Sequence, residues 1–272
     1  MNSEFSIPEQ AARTAFDSQA REFDTLYGND QVIRYKRERV RSHVQKFLAT
    51  GSSILELNAG TGEDAVYFAS QGHRVHATDI SPEMQAVLRE KAGRLELKEN
   101  ISSGICSFTE LEQLENQGPY DLIFSNFAGL NCTDRLDKVL DSFDFLLRPG
   151  GHVTLVVLPG FCLWEFMMLF RGKFKTAFRR FTGKKGTEAK INNETFRCWY
   201  YNPSYIRRGL GKNFRLIALE GLCTIVPPSY LEGFAEKRPR LFRKLKEWEN
   251  SLKGSWPWKS VGDYFIITFQ KK

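Results

Sequence analysis

The spacing of apolar and polar positions changes rhythm twice along this chain. Residues 9–26 predict a polar, weakly amphipathic helix carrying Phe16, Ala20 and Phe23. Gly28-Asn29-Asp30 breaks it and caps a second helix, predicted to reach about residue 49. That helix gathers Ile33, Val40, Val44, Phe47 and Leu48 near one face. Arg34, Lys36, Arg37, Arg39 and Arg41 fall on the other, and such a charge run reads as a solvated face. From Ser53 the pattern alternates. The strands SILEL, RVHATDI, residues 101–108, YDLIFSNF and HVTLVVLP are separated by helical stretches such as DAVYFASQG, SPEMQAVLREKAG and RLDKVLDSFDFLL. Strands alternating with helices predict β-α-β units, a parallel sheet and right-handed crossovers.

After Pro159 the alternation stops. Residues 161–182 read as helical, 183–195 as a loop and 202–212 as a short helix. LIALEGLCTIV is a sixth strand, residues 229–252 are helical with an interruption at Pro239, and DYFIITFQ is the final strand. The expected organisation is one domain over 1–272. It has a helical arm (1–50), a core (51–159), two insertions that build a lid and acceptor site (160–212 and 227–262), and the last two strands (213–226 and 263–272).

Composition narrows the classes. The chain has 272 residues, 42% of them hydrophobic and 26% charged, which excludes disorder and coiled coil. A net charge of +7 permits acidic partners without choosing among them. The five cysteines include no C-x-x-C pair, so neither a disulfide framework nor a zinc site is expected. The N-terminus lacks the basic and apolar regions of a secretory signal, and no window of 18 apolar residues exists. The expected location is cytoplasmic, with peripheral contact to a membrane left open.

Candidate chemistry starts at Glu56-Leu57-Asn58-Ala59-Gly60-Thr61-Gly62, between a strand and a helix. Glycines there allow a tight turn and close approach of a ligand. Asp79 ends the next strand and suits the paired hydroxyls of a ribose. A dinucleotide fingerprint would place a glycine or alanine at Ala65, but Glu63 and Asp64 would set two negative charges beside a pyrophosphate. No G-x-x-x-x-G-K-[ST] is present. A cationic, phosphate-free nucleotide fits better.

ILELNAGTGEDAVYFASQGHRVHATDISPEM resembles the first two motifs of class I S-adenosylmethionine-dependent methyltransferases of the small-molecule type, with Asn58 in place of the usual first glycine. LLRPGGHVTLVVL resembles the turn and fifth strand of the same family. The resemblance covers about residues 30–158 and the last strand. It implies an α/β, doubly wound, Rossmann-like fold: a seven-stranded, mostly parallel sheet with an antiparallel last strand, a helical N-terminal arm and helical lid insertions. It implies S-adenosyl-L-methionine as the cofactor and no metal. Gly60 and Gly62, with Asn58 and Ala59, would pass under the methionyl part, Glu56 would help place the amino group, and Asp79 would accept the ribose hydroxyls. Ile80 and Met84 would pack on adenine, with Ser107 and Phe108 facing its amine. Asn126 and Phe127 would lie near the reactive methyl, and Tyr27 and Arg34 of the arm would reach the cofactor carboxylate.

The acceptor is less legible. Asn126-Phe127-Ala128-Gly129 stands where base-amine methyltransferases carry N/D-P-P-Y/F, so a small, lipophilic or aromatic acceptor is expected and nucleic acid is not. Asn131 is expected to cap a helix. No histidine stands out as a base, and Glu165, Tyr200 and Tyr201, with Asp263, are looser candidates for catalytic groups. Phe166, Phe170, Phe174, Phe178 and Phe181 recur among Arg171, Lys173, Lys175, Arg179 and Arg180. The simpler expectation is an aromatic face packed on the sheet or roofing the cleft; the alternative is a helix lying on an anionic membrane. Likewise Leu241, Leu245, Trp248 and Leu252 are expected to face the core. The rival functions are an RNA or protein methyltransferase, drawn by the basic charge, and a non-catalytic, cofactor-binding regulatory or membrane-docked protein.

Overall fold

The computed structural model describes residues 6–272, so the first five residues of the expected arm lie outside the described residues. Seven strands form the central sheet: β1 (Ser53–Leu57), β2 (Arg74–Asp79), β3 (Ile101–Ile105), β4 (Tyr120–Ser125), β5 (Leu147–Val157), β8 (Phe214–Leu222) and β9 (Tyr264–Lys271). A separate hairpin holds β6 (Thr187–Ile191) and β7 (Glu194–Cys198). The sheet order is β3-β2-β1-β4-β5-β9-β8. Strands β1 to β5 pair in parallel, and β9 runs antiparallel to both β5 and β8. Central strands with both faces covered read as unbroken apolar runs rather than alternations. Accordingly β4 (YDLIFS) and β1 (SILEL) bury nearly every side chain.

Two apolar clusters sandwich the sheet. One holds Leu55, Ile123, Leu155 and Ile267 with Leu136, Leu140 and Phe143 of the stretch after β4. The other holds Ile54, Phe124, Val156 and Ile266 with Val40, Phe68 and Leu88. The alternation of cluster membership along β1, Ile54 then Leu55, is the two-residue period of a strand with both faces buried.

The stretch 9–26, expected to be one helix of the arm, is two. α1 (Ile7–Asp17) is capped by Ser6, and α2 (Phe23–Gly28) follows a turn. Asp30 caps α3 (Gln31–Val44), its Oδ1 accepting from Val32 N and Ile33 N at 2.7 and 2.9 Å. The basic face of α3 is not solvated as the charge run predicts. Lys36 and Arg39 are buried, and Arg37 and Arg41 are largely covered. The three arginines sink because their neighbours offer carboxylates: Asp64 to Arg37 and Arg41, and Glu220 and Glu249 to Arg39. Only Arg34 of this run stays exposed.

Three further expectations change in the insertions. Residues 161–182 are short pieces, Leu163–Phe166, Met167–Arg171 and Phe174–Phe178, broken where Gly172 turns left-handed at φ 69°. Residues 183–195 are not all loop, since β6 and part of β7 lie there. The helix Pro239–Leu252 buries Phe242 and Glu249, whereas Leu241 and Trp248 are 38% and 58% exposed. The buried stripe is thus one position off the expected one, because Glu249 is drawn inward. Its carboxylate accepts backbone N–H groups of Cys223, Thr224, Ile225 and Val226, all at 2.9–3.0 Å, plus the Tyr35 hydroxyl at 2.9 Å. One side chain satisfies the turn that leaves β8.

Candidate active site

Where the strand order reverses, β1 and β4 separate at their carboxyl ends and leave a crevice, the usual ligand position of such sheets. Four chain segments close on it. The first is the loop from β1 to α4 (Glu63–Ser70). Asn58, Gly60 and Gly62 all have positive φ, at 48°, 56° and 76°. Asparagine tolerates the left-handed region, which is why Asn58 can stand where the related motif has glycine. Its side chain also ties the loop to β4: Nδ2 donates to Asn126 O at 2.9 Å, and Oδ1 accepts from the Ser125 hydroxyl. Gly129 must lack a side chain because a Cβ there would come within 2.2 Å of Asn58. Gly62 serves packing rather than the cavity, since a Cβ would meet Leu88 at 2.6 Å.

The second segment is the end of β2. Asp79 accepts from Gly60 N at 2.8 Å and Ser81 N at 2.9 Å. Burial pushes its carboxyl up, against the pull of those N–H groups. Ile80 and Met84 follow it into the cavity, and Ser81 caps α5 (Pro82–Arg94). The third segment is the end of β4: Asn126, then Phe127 and Ala128 at φ 47° and 62°. Two consecutive non-glycine residues in this region mark stored backbone strain, a feature that clusters at functional sites. The fourth is the arm, whose Glu9, Phe16 and Phe23 cover the opening. It is clasped by Asp24, which meets Thr61 Oγ1 at 2.6 Å and Lys91 Nζ at 2.6 Å, and by the Asp17–Ser81 hydrogen bond.

The cavity is acidic. Glu56, Asp64, Asp79 and Glu9 all line it. Burial would raise Asp64, but Arg37 at 3.0 Å and Arg41 at 2.7 Å, with the Asn126 amide at 2.7 Å, outweigh it and hold this carboxyl low. Burial, and then the Asp64 charge, push Glu56 well up despite the same two arginines. One oxygen of Glu56 is buried without a hydrogen-bond partner, and so is one of Glu9. Buried carboxylate oxygens left unpaired are costly unless a ligand donates to them.

The structure therefore brings Glu56, Asn58, Ala59, Gly60, Asp79, Ile80, Met84, Phe108, Asn126 and Phe127 to one cavity. Ser107 instead bonds Thr109, accepting its N–H at 3.1 Å. Arg34 lies exposed over a neighbouring cleft with Tyr27, donating to Gly28 O at 2.8 Å. The residue of α3 that reaches the cofactor cavity is Arg37, one turn further along the same face. Asn131 does not cap a helix. It is fully buried and braces β5 to the 199 region, accepting from Leu158 N at 3.0 Å and donating to Leu158 O at 3.2 Å. Glu165, Tyr200 and Tyr201 lie outside the cavity. Glu165 is buried between Arg179 and Arg180, and although burial would raise its carboxyl the hydrogen bonds from the two guanidiniums hold it low. Burial raises Tyr200 to about 12, and Tyr201 donates to Thr133 O. Asp263 is likewise tied to Arg180 at 2.7 Å. Glu9, Phe16, Phe23 and Arg37 escape sequence reading because only the folded arm brings them to the crevice.

A mostly parallel, doubly wound sheet with an acidic crevice at its reversal point is the architecture of class I methyltransferases. Residues 54–151 match the family described as "Methyltransferase domain". An uncharacterized protein of Methanocaldococcus jannaschii is 25% identical over 177 residues, 65% of this chain and 63% of that one. Demethylmenaquinone methyltransferase of Bacteroides fragilis is 34% identical over 107 residues, 39% of this chain and 42% of that one. The chain thus spans less than two thirds of the length of these curated relatives. Among solved structures, the 1,6-didemethyltoxoflavin-N1-methyltransferase of Burkholderia thailandensis, with 1,6-didemethyltoxoflavin and S-adenosylhomocysteine bound, superposes with a TM-score of 0.56. It is 18% identical, and the match covers 100% of this chain and 93% of that one.

Proposed function

We propose that this protein transfers a methyl group from S-adenosylmethionine to a small, lipophilic or aromatic acceptor. The observation that carries the reading is the acidic cavity with unpaired buried oxygens on Glu56 and Glu9, flanked by Asp79 and the apolar Ile80, Met84 and Phe108. Glu56 would hold the cofactor's ammonium, Asp79 its ribose hydroxyls, and Ile80, Met84 and Phe108 its adenine. Bound there, the cofactor supplies an activated methyl on a sulfonium cation. The chain's own residues then have three tasks. The carboxylates set a negative potential that favours a cation and disfavours a dinucleotide. The clasped arm excludes water. The strained Phe127-Ala128 turn fixes the wall past which the acceptor must approach, and orientation of this kind can supply much of the rate. Both characterised proteins described above carry an aromatic ring system in their names or bound ligand, which supports the acceptor class.

The test is release of S-adenosylhomocysteine on incubation with S-adenosylmethionine and a panel of quinols and nitrogen heteroaromatics. Turnover with a member of the panel, lost in Asp79→Ala, is the expected result. Cofactor binding without turnover on any acceptor contradicts the enzymatic reading and favours a regulatory one.

A second surface supports a second element of the proposal, docking on an anionic membrane. Phe170, Phe174, Phe178 and Phe181 are 86%, 63%, 51% and 57% exposed, so they neither pack on the sheet nor roof the cleft. Arg171, Lys173 and Lys175 are exposed between them. Exposed aromatic patches rimmed by cations suit an anionic lipid interface. Among the described residues no helix is long and apolar enough to cross a membrane.

A further inference from the structure

Behind Phe127 lies a second cavity. It shares Phe16, Phe23, Arg37 and Phe127 with the first cavity, so the two adjoin across those side chains. Its remaining walls include Tyr27, Tyr264, Gln19 and Lys36.

Lys36 is the anomaly. Its side chain is 4% exposed. Nζ lies 5.5 Å from the Phe127 ring centroid and 4.9 Å from that of Tyr264. An ammonium has three donors, and here a single hydrogen bond is made, a long one of 3.3 Å to Ser229 Oγ. Among the described residues no carboxylate stands within ion-pair distance of it. The acids whose charge reaches it are already engaged: Asp263 by Arg180, and Asp30 by the Val32 and Ile33 N–H groups it caps. Burial works against the charge, while the neighbouring carboxylates of Asp263 and Asp30 favour it, and the ammonium stands above its ordinary range. Cation–π contact offsets part of the cost of burying it, but not the missing hydrogen bonds.

Gln19 repeats the pattern independently. It is buried, its Oε1 accepts from the Tyr27 hydroxyl at 3.3 Å, and its Nε2 has no partner. Two polar side chains, one cationic, therefore present unused donors at one ring-lined cavity. Five aromatic rings supply the stacking walls: Phe16, Phe23, Tyr27, Phe127 and Tyr264.

We propose that this second cavity is the acceptor subsite, and that it selects a planar aromatic anion whose ionised oxygen, a carboxylate or phenolate, is held by Lys36 and Gln19. The subsite's role as acceptor site rests on the methyltransferase reading, since it is contact with the cofactor cavity across Phe127 that makes a molecule here an acceptor. The choice of anion rests on Lys36 and Gln19 alone. Lys36 is a specificity residue in this account and takes no part in bond making.

The probes are 2-naphthoate and its neutral, nearly isosteric amide, 2-naphthamide. Each is titrated into the full chain with and without saturating S-adenosylhomocysteine. The wild-type protein binds the anion about tenfold or more tightly than the amide, as a desolvated charge-assisted contact requires. Lys36→Met removes the preference, and Lys36→Arg keeps most of it. Gln19→Leu lowers it by a smaller factor. In all three variants the dissociation constant for S-adenosylhomocysteine stays at the wild-type value, which shows that the fold and the cofactor site are intact. Equal binding of the two probes, absence of binding by the anion, or a preference that survives Lys36→Met overturns the proposal. Failure of S-adenosylhomocysteine to bind the wild-type chain overturns the methyltransferase reading instead, and the titrations without it still read Lys36 by itself.

Discussion

At the residue scale the site is a problem in unpaired charge. Glu56 sits at the end of β1 with one oxygen lacking a partner and its carboxyl pushed up by burial and by Asp64. An ammonium placed against it favours the ionised form, so cofactor binding shifts the range in which Glu56 gives up its proton downward. The sign follows. Affinity for S-adenosylmethionine is weakest at acid pH and climbs, by up to about tenfold per pH unit, until the raised Glu56 range is passed. Calorimetry in buffers of different ionisation enthalpy should show proton release between acid and neutral pH, and Glu56→Gln should abolish it. Affinity that is flat across this range, or unchanged proton release in Glu56→Gln, contradicts the assignment.

Single residues also explain which parts of the site were legible. Gly60 and Asp79 were, because a glycine turn and a strand-end acid leave a local signature. Asn58 shows how much a substitution in a motif can hide: asparagine accepts the left-handed backbone and adds two hydrogen bonds to β4. Lys36 and Arg37 were not legible as site residues, because a basic helical face looks the same whether water or carboxylates cover it.

At the element scale, the sheet was readable strand by strand, since β-α-β alternation fixes both element type and handedness locally. The insertions were not. The aromatic repeat at 166–181 has helical spacing, yet Gly172 breaks it and the rings face outward. Helix Pro239–Leu252 presents a plausible leucine stripe, but a buried glutamate with six hydrogen-bond donors outranks leucine burial there. Glu249→Leu removes the acceptor for four backbone N–H groups and leaves Arg39 short of a partner. The expected loss is about 3–5 kcal/mol, the scale for breaking a buried charged network. It should appear as a lower denaturation midpoint at unchanged slope. A loss below about 1 kcal/mol would mean that this turn finds other partners.

At the scale of the whole molecule, a net charge of +7 coexists with an acidic cavity. The positive charge is spent elsewhere: in buried pairs along α3, and on the exposed aromatic surface around Phe170 and Phe174. If that surface docks on lipid, the chain should sediment with vesicles of phosphatidylcholine and phosphatidylglycerol, and not with phosphatidylcholine alone. Phe170→Ser with Phe174→Ser should weaken this by at least about tenfold, given roughly 1.5–3 kcal/mol for each phenylalanine fully buried. No sedimentation with the anionic vesicles would remove the membrane from the account.

Everything above depends on what the acidic crevice holds, and calorimetric titration with S-adenosylmethionine, S-adenosylhomocysteine and NADH tests that directly. The carboxylates of Glu56 and Asp79, and the absence of room for a pyrophosphate's charge beside Glu63 and Asp64, predict binding of the first two and none of NADH. Binding of NADH without the other two would contradict the account and return the glycine loop to dinucleotide chemistry.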